Sequence, residues 1–330
     1  MIDNIKYYIA DNTMPYKNLA MEEYLLDSVE ENQCILYLWQ NRHTVVIGKN
    51  QNAYKECRVE ALRGDGGFLV RRLSGGGSVF HDLGNLNFTF LIRDRHYDVS
   101  RQLSVIQRAV RKFGLNAEKS GRNDICIDGR KFSGNAFYKR GDHCYHHGTI
   151  LINADMQNMS KYLNVSQDKL KANSVSSVKS RVINLKELND EVNVENITEA
   201  LVEAFGEEYG LTPEKIEKSQ VDETIIQALT DKFSSEEFIF GRNMKADYEI
   251  KNRFKWGGID LCFKISGDKI EDVIIYSDSM EWDFKDELEA AFKNIGFSKK
   301  ELIKSLEGIK ESLNSEIYED LHELISQQDI

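Results

Sequence analysis

The amino-acid sequence predicts an α+β fold, with a large domain on a mixed or antiparallel sheet and a small α+β domain after it. Strand-like runs are joined by local turns, and the strongest hairpin signal is Asp128-Gly129. Helical patterns are segregated from these hairpins, and the regular strand–helix–strand alternation of a doubly wound parallel sheet is absent. The pattern changes near residue 245, so we place the two domains at 1–246 and 247–330.

The first domain combines helical patterns with short strands. Residues 15–30 predict a helix that places apolar Leu19 and Leu26 on a different face from charged Glu22 and Glu23. Further helices are predicted at 101–113, 192–209 and 221–233. The predicted strands are 35–39, 44–47, 68–73, 86–92, 125–127, 131–138 and 149–152.

The second domain is predicted to begin with a hairpin, formed by 254–265 and 270–276 around the turn 266–268. Two helices follow the hairpin. The second helix is expected to carry an apolar stripe, which we interpret as core and which consists of Leu302, Leu306, Ile309, Leu313, Ile317, Leu321 and Leu324.

The composition excludes several classes of protein. In this chain of 330 residues no apolar run approaches the roughly 20 residues that span a bilayer. The N-terminus lacks the basic flank and apolar stretch of a signal peptide, and five scattered cysteines without CxxC spacing fit reduced thiols. The net charge of −11 argues against general nucleic-acid binding, which depends on basic side chains. We therefore expect a cytoplasmic protein without nucleic-acid or membrane partners.

The densest chemical signal is the segment 71–82, RRLSGGGSVFHD. Three consecutive glycines cost backbone entropy on folding, so they indicate main chain that approaches another body closely. Their N–H groups can form a concave anion site, and Arg72 can supply a forked donor for a phosphate or carboxylate. A glycine-rich bend at a sheet corner is the alternative. Neither a GxxxxGKS/T loop nor a strand–GxGxxG–helix unit occurs, so any nucleotide must be bound in another way.

The second signal lies in 121–125 and 128–136, GRNDI and DGRKFSGNA. Lys131 follows the hairpin turn on a strand, so its ammonium has a rigid base and can bind a carboxylate or phosphate as a point charge. A solvated surface lysine is the alternative. Asn123 and Asp124 are either turn formers or ligands.

The third signal is the segment 144–151, CYHHGTIL. Adjacent residues on a strand point to opposite faces, so one of His146 and His147 can face a site while the other packs or meets solvent. This alternation disfavours joint metal ligation by the two imidazoles. Cys144 is either a nucleophile assisted by a nearby histidine or a buried thiol.

Taken together, the three segments resemble the lipoate–protein ligases, in the superfamily that also contains biotin–protein ligases and octanoyl transferases. The segments RRLSGGGSVFHDLGNLNFTF, SGRNDICIDGRKFSGNAF and HHGTILINADM occur in the family's order and spacing. The segment 254–259, FKWGGI, is similar to the accessory domain of the long ligase form. The resemblance implies an α+β catalytic domain related to biotin ligase and class II aminoacyl-tRNA synthetase cores.

The resemblance also implies roles for individual residues. Lys131 matches the lysine that contacts both the activated carboxylate and the phosphate. The residues that match ATP and adenylate contacts are Arg72, Gly77, Ser78, Val79 and Phe80, with Asn123 and Asp124 on the adenylate side. The residues in segments that line the lipoyl pocket are Gly75, Gly76, His147, Gly148 and Thr149. Mg²⁺ is expected with ATP, and the sequence does not identify its ligands.

The activity implied is ATP-dependent conversion of lipoate to lipoyl-AMP with release of pyrophosphate, followed by transfer to a lysine. The implied acceptors are lipoyl domains of 2-oxoacid dehydrogenase acyltransferase subunits and the glycine-cleavage H protein. One alternative is an ATP-independent lipoyl or octanoyl transferase that uses a thioester of Cys144. Another is a non-catalytic lipoate-binding regulator. The C-terminal domain favours the ligase, because the transferases of the superfamily generally lack it.

Overall fold

A computed structural model of the protein describes residues 1–121, 124–164, 182–242, 244–281 and 283–330. The chain forms two compact units. The large unit consists of Met1–Val46, Glu56–Arg71 and Val79–Ile239, and the small unit of Ile47–Lys55, Arg72–Ser78 and Phe240–Ile330. Two early segments thus belong with the C-terminal residues, whereas the sequence predicts two continuous domains. The boundary at 246 stays a prediction.

The first 240 residues supply a mixed eight-stranded sheet with the order β11-β1-β2-β6-β10-β9-β8-β7 and a three-stranded sheet with the order β4-β3-β5. Strand β1 is parallel to β2 and β11, and the other pairs of the large sheet are antiparallel. The strands are β1 (Asn4–Ile9), β2 (Gln33–Trp39), β3 (Thr44–Ile47), β4 (Phe68–Arg71), β5 (Val79–His81), β6 (Asn85–Arg93), β7 (Glu118–Ser120), β8 (Asp124–Ile127), β9 (Arg130–Arg140), β10 (His143–Leu151) and β11 (Glu214–Lys215).

The helices of this part flank the sheets. They are α1 (Pro15–Ser28), α2 (Ala53–Glu56), α3 (Val59–Gly64), α4 (Val99–Arg111), α5 (Met156–Tyr162), α6 (Val194–Tyr209), α7 (Glu223–Ser234) and α8 (Glu236–Phe240). The predicted α+β class is confirmed. The predicted strands and helices are present with shifted ends, and the last predicted strand of this domain begins earlier, at His143.

Alternation along the strands gives the large sheet two different faces. One face is apolar and packs on α4 and α6, as Leu36, Phe88 and Phe90 do against Ile106 and Phe205. We call this the core face. Residues that are directly opposite each other on antiparallel strands share a face of the sheet. The residues that alternate with these apolar ones along each strand therefore lie on the other face of the sheet. Helix α1 contacts strands β2, β6 and β10 on that other face. We call it the polar face, because it carries Asn87, Thr89, His147 and Thr149.

The interpretation of α1 as a helix with separate apolar and charged faces is wrong. Glu22 and Glu23 are buried together with Leu19 and Leu26. Glu23 forms ion pairs with basic side chains, Arg140 at 3.0 Å among them. A buried carboxylate is tolerated only when such partners are present, and periodicity alone does not reveal those partners.

The small unit contains an antiparallel sheet with the order β12-β13-β14 and three helices. The elements are β12 (Tyr248–Arg253), β13 (Gly258–Ser266), β14 (Lys269–Ser277), α9 (Phe284–Phe292), α10 (Lys299–Gly308) and α11 (Ser315–Ser326). The prediction of one long second helix is wrong, because the chain leaves α10 at Gly308 and restarts where Asn314 caps α11 by accepting from the Glu316 N–H at 2.9 Å. The apolar stripe is nevertheless core, as expected.

In the described part of the chain, every helix is too short or too polar to cross a membrane.

Candidate active site

The glycine loop, Arg72–Ser78, belongs to the small unit. The Arg72 guanidinium is buried and donates to the carbonyl oxygens of Gly75 at 2.6 Å and Gly77 at 2.8 Å. Its Nε also donates to Ser74 Oγ at 3.0 Å. Arg72 therefore holds the loop in a closed turn, with the loop carbonyls as its partners. The partly buried Gly77 and Ser78 complete the turn.

The glycines are needed because main chain approaches main chain. The Gly76 N–H donates to the Ser279 carbonyl at 2.8 Å, and Gly76 has a φ of +88° that favours glycine. A Cβ on Gly75 would stand 2.4 Å from the same Ser279 oxygen, and one on Gly48 would stand 2.2 Å from the Gly76 oxygen. The glycine loop thus approaches another body closely, as its glycines indicate, and that body is other main chain of the small unit.

The next two predicted nucleotide contacts, Val79 and Phe80, lie on β5 in the large unit. Val79 pairs with Val46 of β3. The Phe80 ring is buried and packs edge-on against His43, with ring centroids 5.5 Å apart. Phe80 is therefore a core side chain, and a contact to a nucleotide would have to come from its main chain.

The hairpin turn before Lys131 has the geometry that the sequence predicts. Asp128 and Gly129 both have positive φ, at +50° and +72°, as a two-residue hairpin turn of the primed type requires. The turn places Lys131 on β9, where its main chain also accepts from the Ile183 N–H at 2.9 Å. The strand therefore gives the lysine the rigid base that the sequence predicts.

The Lys131 ammonium lies beside a carboxylate and above a glycine. Its Nζ is 2.7 Å from Asp124 Oδ1, and both side chains are about one-third exposed, at 35%. A Cβ on Gly134 would stand 2.8 Å from Nζ, so the missing side chain leaves the space that the ammonium occupies. Of the two adenylate-side residues, Asp124 thus contacts Lys131, and Asn123 lies outside the described residues.

The two histidines of β10 are both buried and point to opposite faces. His146 lies on the core face, with Nδ1 3.0 Å from Gln102 Oε1 and Nε2 2.8 Å from Asn135 Oδ1. Burial, with a smaller contribution from His147, lowers the pKa of His146 to about 3, so its imidazole is neutral at pH 7. The sequence predicts that the histidine facing away from the site either packs in the protein or meets solvent. His146 packs.

His147 lies on the polar face and contacts a residue that the sequence analysis missed. Its Nδ1 is 2.8 Å from Glu22 Oε1, and Glu22 on α1 is only 2% exposed. The Thr89 hydroxyl donates to the same oxygen at 2.7 Å, and Trp39 Nε1 donates to Thr89 Oγ1 at 3.1 Å. Four polar groups from three strands and one helix thus form one buried network. The available signal was the spacing of Glu22, three residues after Leu19 and four before Leu26, which places all three on one face of a helix.

Strand pairing brings several predicted lipoate contacts together. Thr149 and His147 lie on the polar face of β10, and the Thr149 hydroxyl oxygen is 3.4 Å from the Gly134 N–H. Lys131 Nζ lies at Gly134, so the ammonium and Thr149 are neighbours. Gly148 lies between His147 and Thr149 in the sequence but faces the other way. A Cβ on Gly148 would stand 2.6 Å from Phe88 and 2.7 Å from Asn135 on the core face.

Cys144 is a buried thiol. It is 0% exposed and lies on the core face, two residues from His146 and opposite to the face of His147. Burial, reinforced by the Asp94 carboxylate 3.6 Å away, raises the pKa of Cys144 to about 12. Since the thiolate is the nucleophile, these surroundings do not favour a thioester at this position.

The described residues include no group of three His, Cys, Asp or Glu side chains that could hold a metal ion. Mg²⁺ in nucleotide enzymes is usually bound through one or two carboxylates together with substrate phosphates. Among the described side chains, Asp124 is a carboxylate beside Lys131, with its Oδ1 2.7 Å from Nζ.

Known proteins match this chain along most of its length. Residues 14–206 match the Lipoyl protein ligase A/B catalytic domain, and residues 243–325 match the Bacterial lipoate protein ligase C-terminus. The chain is 38% identical to Lipoate-protein ligase A of Psychrobacter cryohalolentis over 298 residues, which cover 88% of each chain. The chain therefore belongs to the lipoate–protein ligase family, and the resemblance seen in the sequence is confirmed.

Solved structures agree with this assignment. P. falciparum LipL1 in complex with lipoate is 28% identical with a TM-score of 0.85, and the match covers 98% of this chain and 100% of that one. A lipoate-protein ligase A bound with ATP is 25% identical with a TM-score of 0.62, over 73% of this chain and 99% of that one. The fold class is that of the lipoate ligases.

Proposed function

We propose that the protein is an ATP-dependent lipoate–protein ligase that forms lipoyl-AMP and transfers the lipoyl group to a lysine of an acceptor protein. Family membership supports ligase chemistry, and relatives with lipoate and with ATP bound support the two substrates. The observation that carries the proposal is the Lys131 ammonium, held by Asp124 beside Thr149 on the polar face.

The first half-reaction needs a cation where negative charge develops. A lipoate carboxylate oxygen attacks the α-phosphorus of ATP, the bond to the bridging oxygen breaks, and pyrophosphate leaves. Lys131 binds the carboxylate in the ground state and the phosphoryl oxygens as charge grows on them. Removing one donor of this type raises a barrier by about 3–4 kcal/mol in comparable sites. Asp124, the carboxylate beside Lys131, would help to hold a Mg²⁺ ion bound with the nucleotide, and that ion would neutralise phosphate charge.

The second half-reaction uses the mixed anhydride. The neutral amine of an acceptor lysine attacks the acyl carbon, the bond to the AMP oxygen breaks, and the nitrogen loses a proton as the amide forms. The free amine has a pKa of about 10.4, so it must be deprotonated before it attacks. The proposed acceptors are lipoyl domains of 2-oxoacid dehydrogenase acyltransferase subunits and the glycine-cleavage H protein, in the cytoplasm.

The site roles form part of the same proposal. We assign nucleotide contacts to Arg72, Gly77, Ser78, Val79, Phe80, Asn123, Asp124 and Lys131. We assign lipoate contacts to Lys131, Gly75, Gly76, His147, Gly148 and Thr149. The contacts at Phe80 and Gly148 are assigned to main-chain atoms. The Phe80 ring packs in the core, and a side chain on Gly148 would point to the core face.

The test compares two lysines of the same strand. Lys131→Ala given ATP, Mg²⁺ and lipoate is expected to lose pyrophosphate release by a factor of roughly 100 or more. Lys139→Ala removes an exposed ammonium that pairs with Asp94 and should leave the rate unchanged. Near-normal release by Lys131→Ala would refute the role of Lys131.

A separate test distinguishes the ligase from the thioester transferase. Mass spectrometry of a lipoyl domain incubated with Cys144→Ala enzyme should show full lipoylation that requires ATP. The buried Cys144 thiol supports this expectation. Lipoylation that proceeds without ATP, or that disappears in Cys144→Ala enzyme of normal stability, would favour the transferase. Tight binding of lipoate without turnover would favour the regulator.

A further inference from the structure

One buried amide on the polar face has an unused donor. Asn87 on β6 is 1% exposed, and its Oδ1 accepts from Asn85 Nδ2 at 2.9 Å. Its Nδ2 has no hydrogen-bond partner among the described residues. A buried N–H without a partner is destabilising, and native proteins carry few of them. Such a donor suggests a partner that is not part of the polypeptide.

The register of the sheet places Asn87 in line with the proposed catalytic lysine. Asn87 is directly opposite Trp39 of β2 on one side and Thr149 of β10 on the other. Thr149 is next to Gly134 of β9, where Lys131 Nζ lies. Neighbouring strands are about 4.8 Å apart, so the backbone of Asn87 lies about 10 Å from that of Gly134. The side chains of Asn87 and Lys131 thus stand at the two ends of one row.

Of the polar groups around Asn87, the acceptor Asn85 Oδ1 also has no hydrogen-bond partner among the described residues, whereas the groups of the neighbouring row are paired. Trp39 Nε1 donates to Thr89, and the Glu22 carboxylate accepts from Thr89 and contacts His147. That network occupies the next row of the face, because Thr89 and His147 are two residues from Asn87 and Thr149 along their strands. The Asn87 donor is therefore left for a molecule that binds in the row of Lys131.

We propose that Asn87 is a further substrate-binding residue, whose Nδ2 donates to the carboxyl-derived oxygen of the acyl group opposite Lys131. The inference rests on the proposed function. The interaction is a hydrogen bond from a neutral N–H to an oxygen of the acyl group. That oxygen belongs first to the carboxylate and then to the carbonyl of the acyl-adenylate. Because this oxygen is common to all fatty acyl carboxylates, Asn87 binds the reacting end and does not distinguish lipoate from octanoate.

The experiment measures adenylate formation with lipoate and with octanoate in Asn87→Ala, Asn87→Asp and Asn189→Ala enzymes. Losing a hydrogen bond to a charged group should raise KM for both acids roughly ten- to hundred-fold in Asn87→Ala. Asn87→Asp should be worse, because its carboxylate repels that of the substrate. Asn189 donates to the Phe113 carbonyl at 3.2 Å elsewhere in the large unit, and its replacement should change neither KM.

Several outcomes would overturn the proposal. They are unchanged KM values in Asn87→Ala, an effect on lipoate alone, or an Asn87→Asp enzyme that binds better than Asn87→Ala. Because Asn87→Ala leaves Asn85 without its acceptor, thermal melting should accompany the kinetics. If Asn87→Ala does not fold, Asn87→Ser, which keeps a short polar group, provides the same comparison of the two acids. A wild-type enzyme that forms no adenylate would instead refute the proposed function.

Discussion

At the scale of single residues, the polar face depends on a carboxylate buried beneath a helix. Glu22 reaches Thr89 and His147 with one oxygen, so these two polar groups lose a partner together if the carboxylate is removed. A buried polar group of this kind is stable only while its hydrogen-bond partners surround it. The consequence is a strong dependence of stability on a single side chain of α1.

We therefore expect Glu22→Leu to lower the free energy of unfolding by about 1–3 kcal/mol, the cost of leaving buried donors unpaired. Glu22→Gln keeps an oxygen for the Thr89 hydroxyl and should cost less. Urea denaturation measures both. Glu30→Leu, an exposed glutamate just beyond α1, serves as the control and should fall within about 0.5 kcal/mol of wild type. Equal losses at positions 22 and 30 would contradict the account.

A second residue-scale prediction concerns the missing side chain at Gly134. In Gly134→Ala the new Cβ would stand 2.8 Å from Lys131 Nζ, so the ammonium must move. The fold should tolerate the change, because the clash involves the end of a flexible side chain. We expect pyrophosphate release to fall about ten-fold, corresponding to roughly 1.4 kcal/mol in the barrier. Gly64→Ala, where a Cβ meets no neighbouring atom, is the control. An unaffected rate in Gly134→Ala would argue against this placement of Nζ.

At the scale of elements, local sequence explains the strands and turns better than it explains what the helices bury. The hairpin after β8 follows from Asp128-Gly129 alone, since two positive φ angles suit these residue types. The contact between His147 and Glu22, in contrast, joins residues 125 positions apart. No local pattern encodes such a pair. The split between α10 and α11 was equally hidden, because the apolar spacing continues across it while Gly308 and Asn314 interrupt the helix.

The candidate site shows the same division. The sequence proposes Lys131, His147 and Thr149 as site residues through their motifs, and the structure places them on β9 and β10, while their roles stay predictions. The sequence does not single out Glu22 or Asn87, because their surroundings depend on which strands are neighbours and which face α1 covers. It also did not reveal that the Arg72 donors bind carbonyls of their own loop.

The hairpin itself provides a prediction at this scale. Gly129 has a φ of +72°, so Gly129→Ala forces a side chain into the left-handed region at a cost of about 1–2 kcal/mol. Chemical denaturation should show that loss. Gly308→Ala, at the end of α10 where a Cβ meets nothing, should be neutral or stabilising. If both variants lost the same stability, the left-handed turn would not be the cause.

At the scale of the whole molecule, a buried neutral histidine links stability to pH. The folded-state pKa of His146 is lowered to about 3 by burial, whereas the unfolded chain binds the proton near the ordinary value of about 6.5. Between these values the unfolded state binds more protons, so stability falls as the pH falls. Each unit below about 6.5 costs about 1.4 kcal/mol from this group.

Lowering the pH from 7 to 5 should therefore destabilise the protein by about 2 kcal/mol through His146 alone. His146→Gln removes the titrating group and should flatten this part of the stability curve, although it is less stable at pH 7. His322→Gln, a histidine of α11 in the small unit, should keep the wild-type slope. Parallel curves for wild type and His146→Gln would show that acid sensitivity arises elsewhere.

The interleaved course of the backbone limits how this enzyme can be shortened. The chain passes repeatedly between the two units, and the Gly76 N–H of the glycine loop donates to the carbonyl of Ser279 in the C-terminal segment Phe240–Ile330. A shortened version that stops near residue 246 would keep the three signature segments at 71–82, 121–136 and 144–151 and still lose that anchoring carbonyl. Supplying the missing piece as a second polypeptide should restore the turn better than any point mutation.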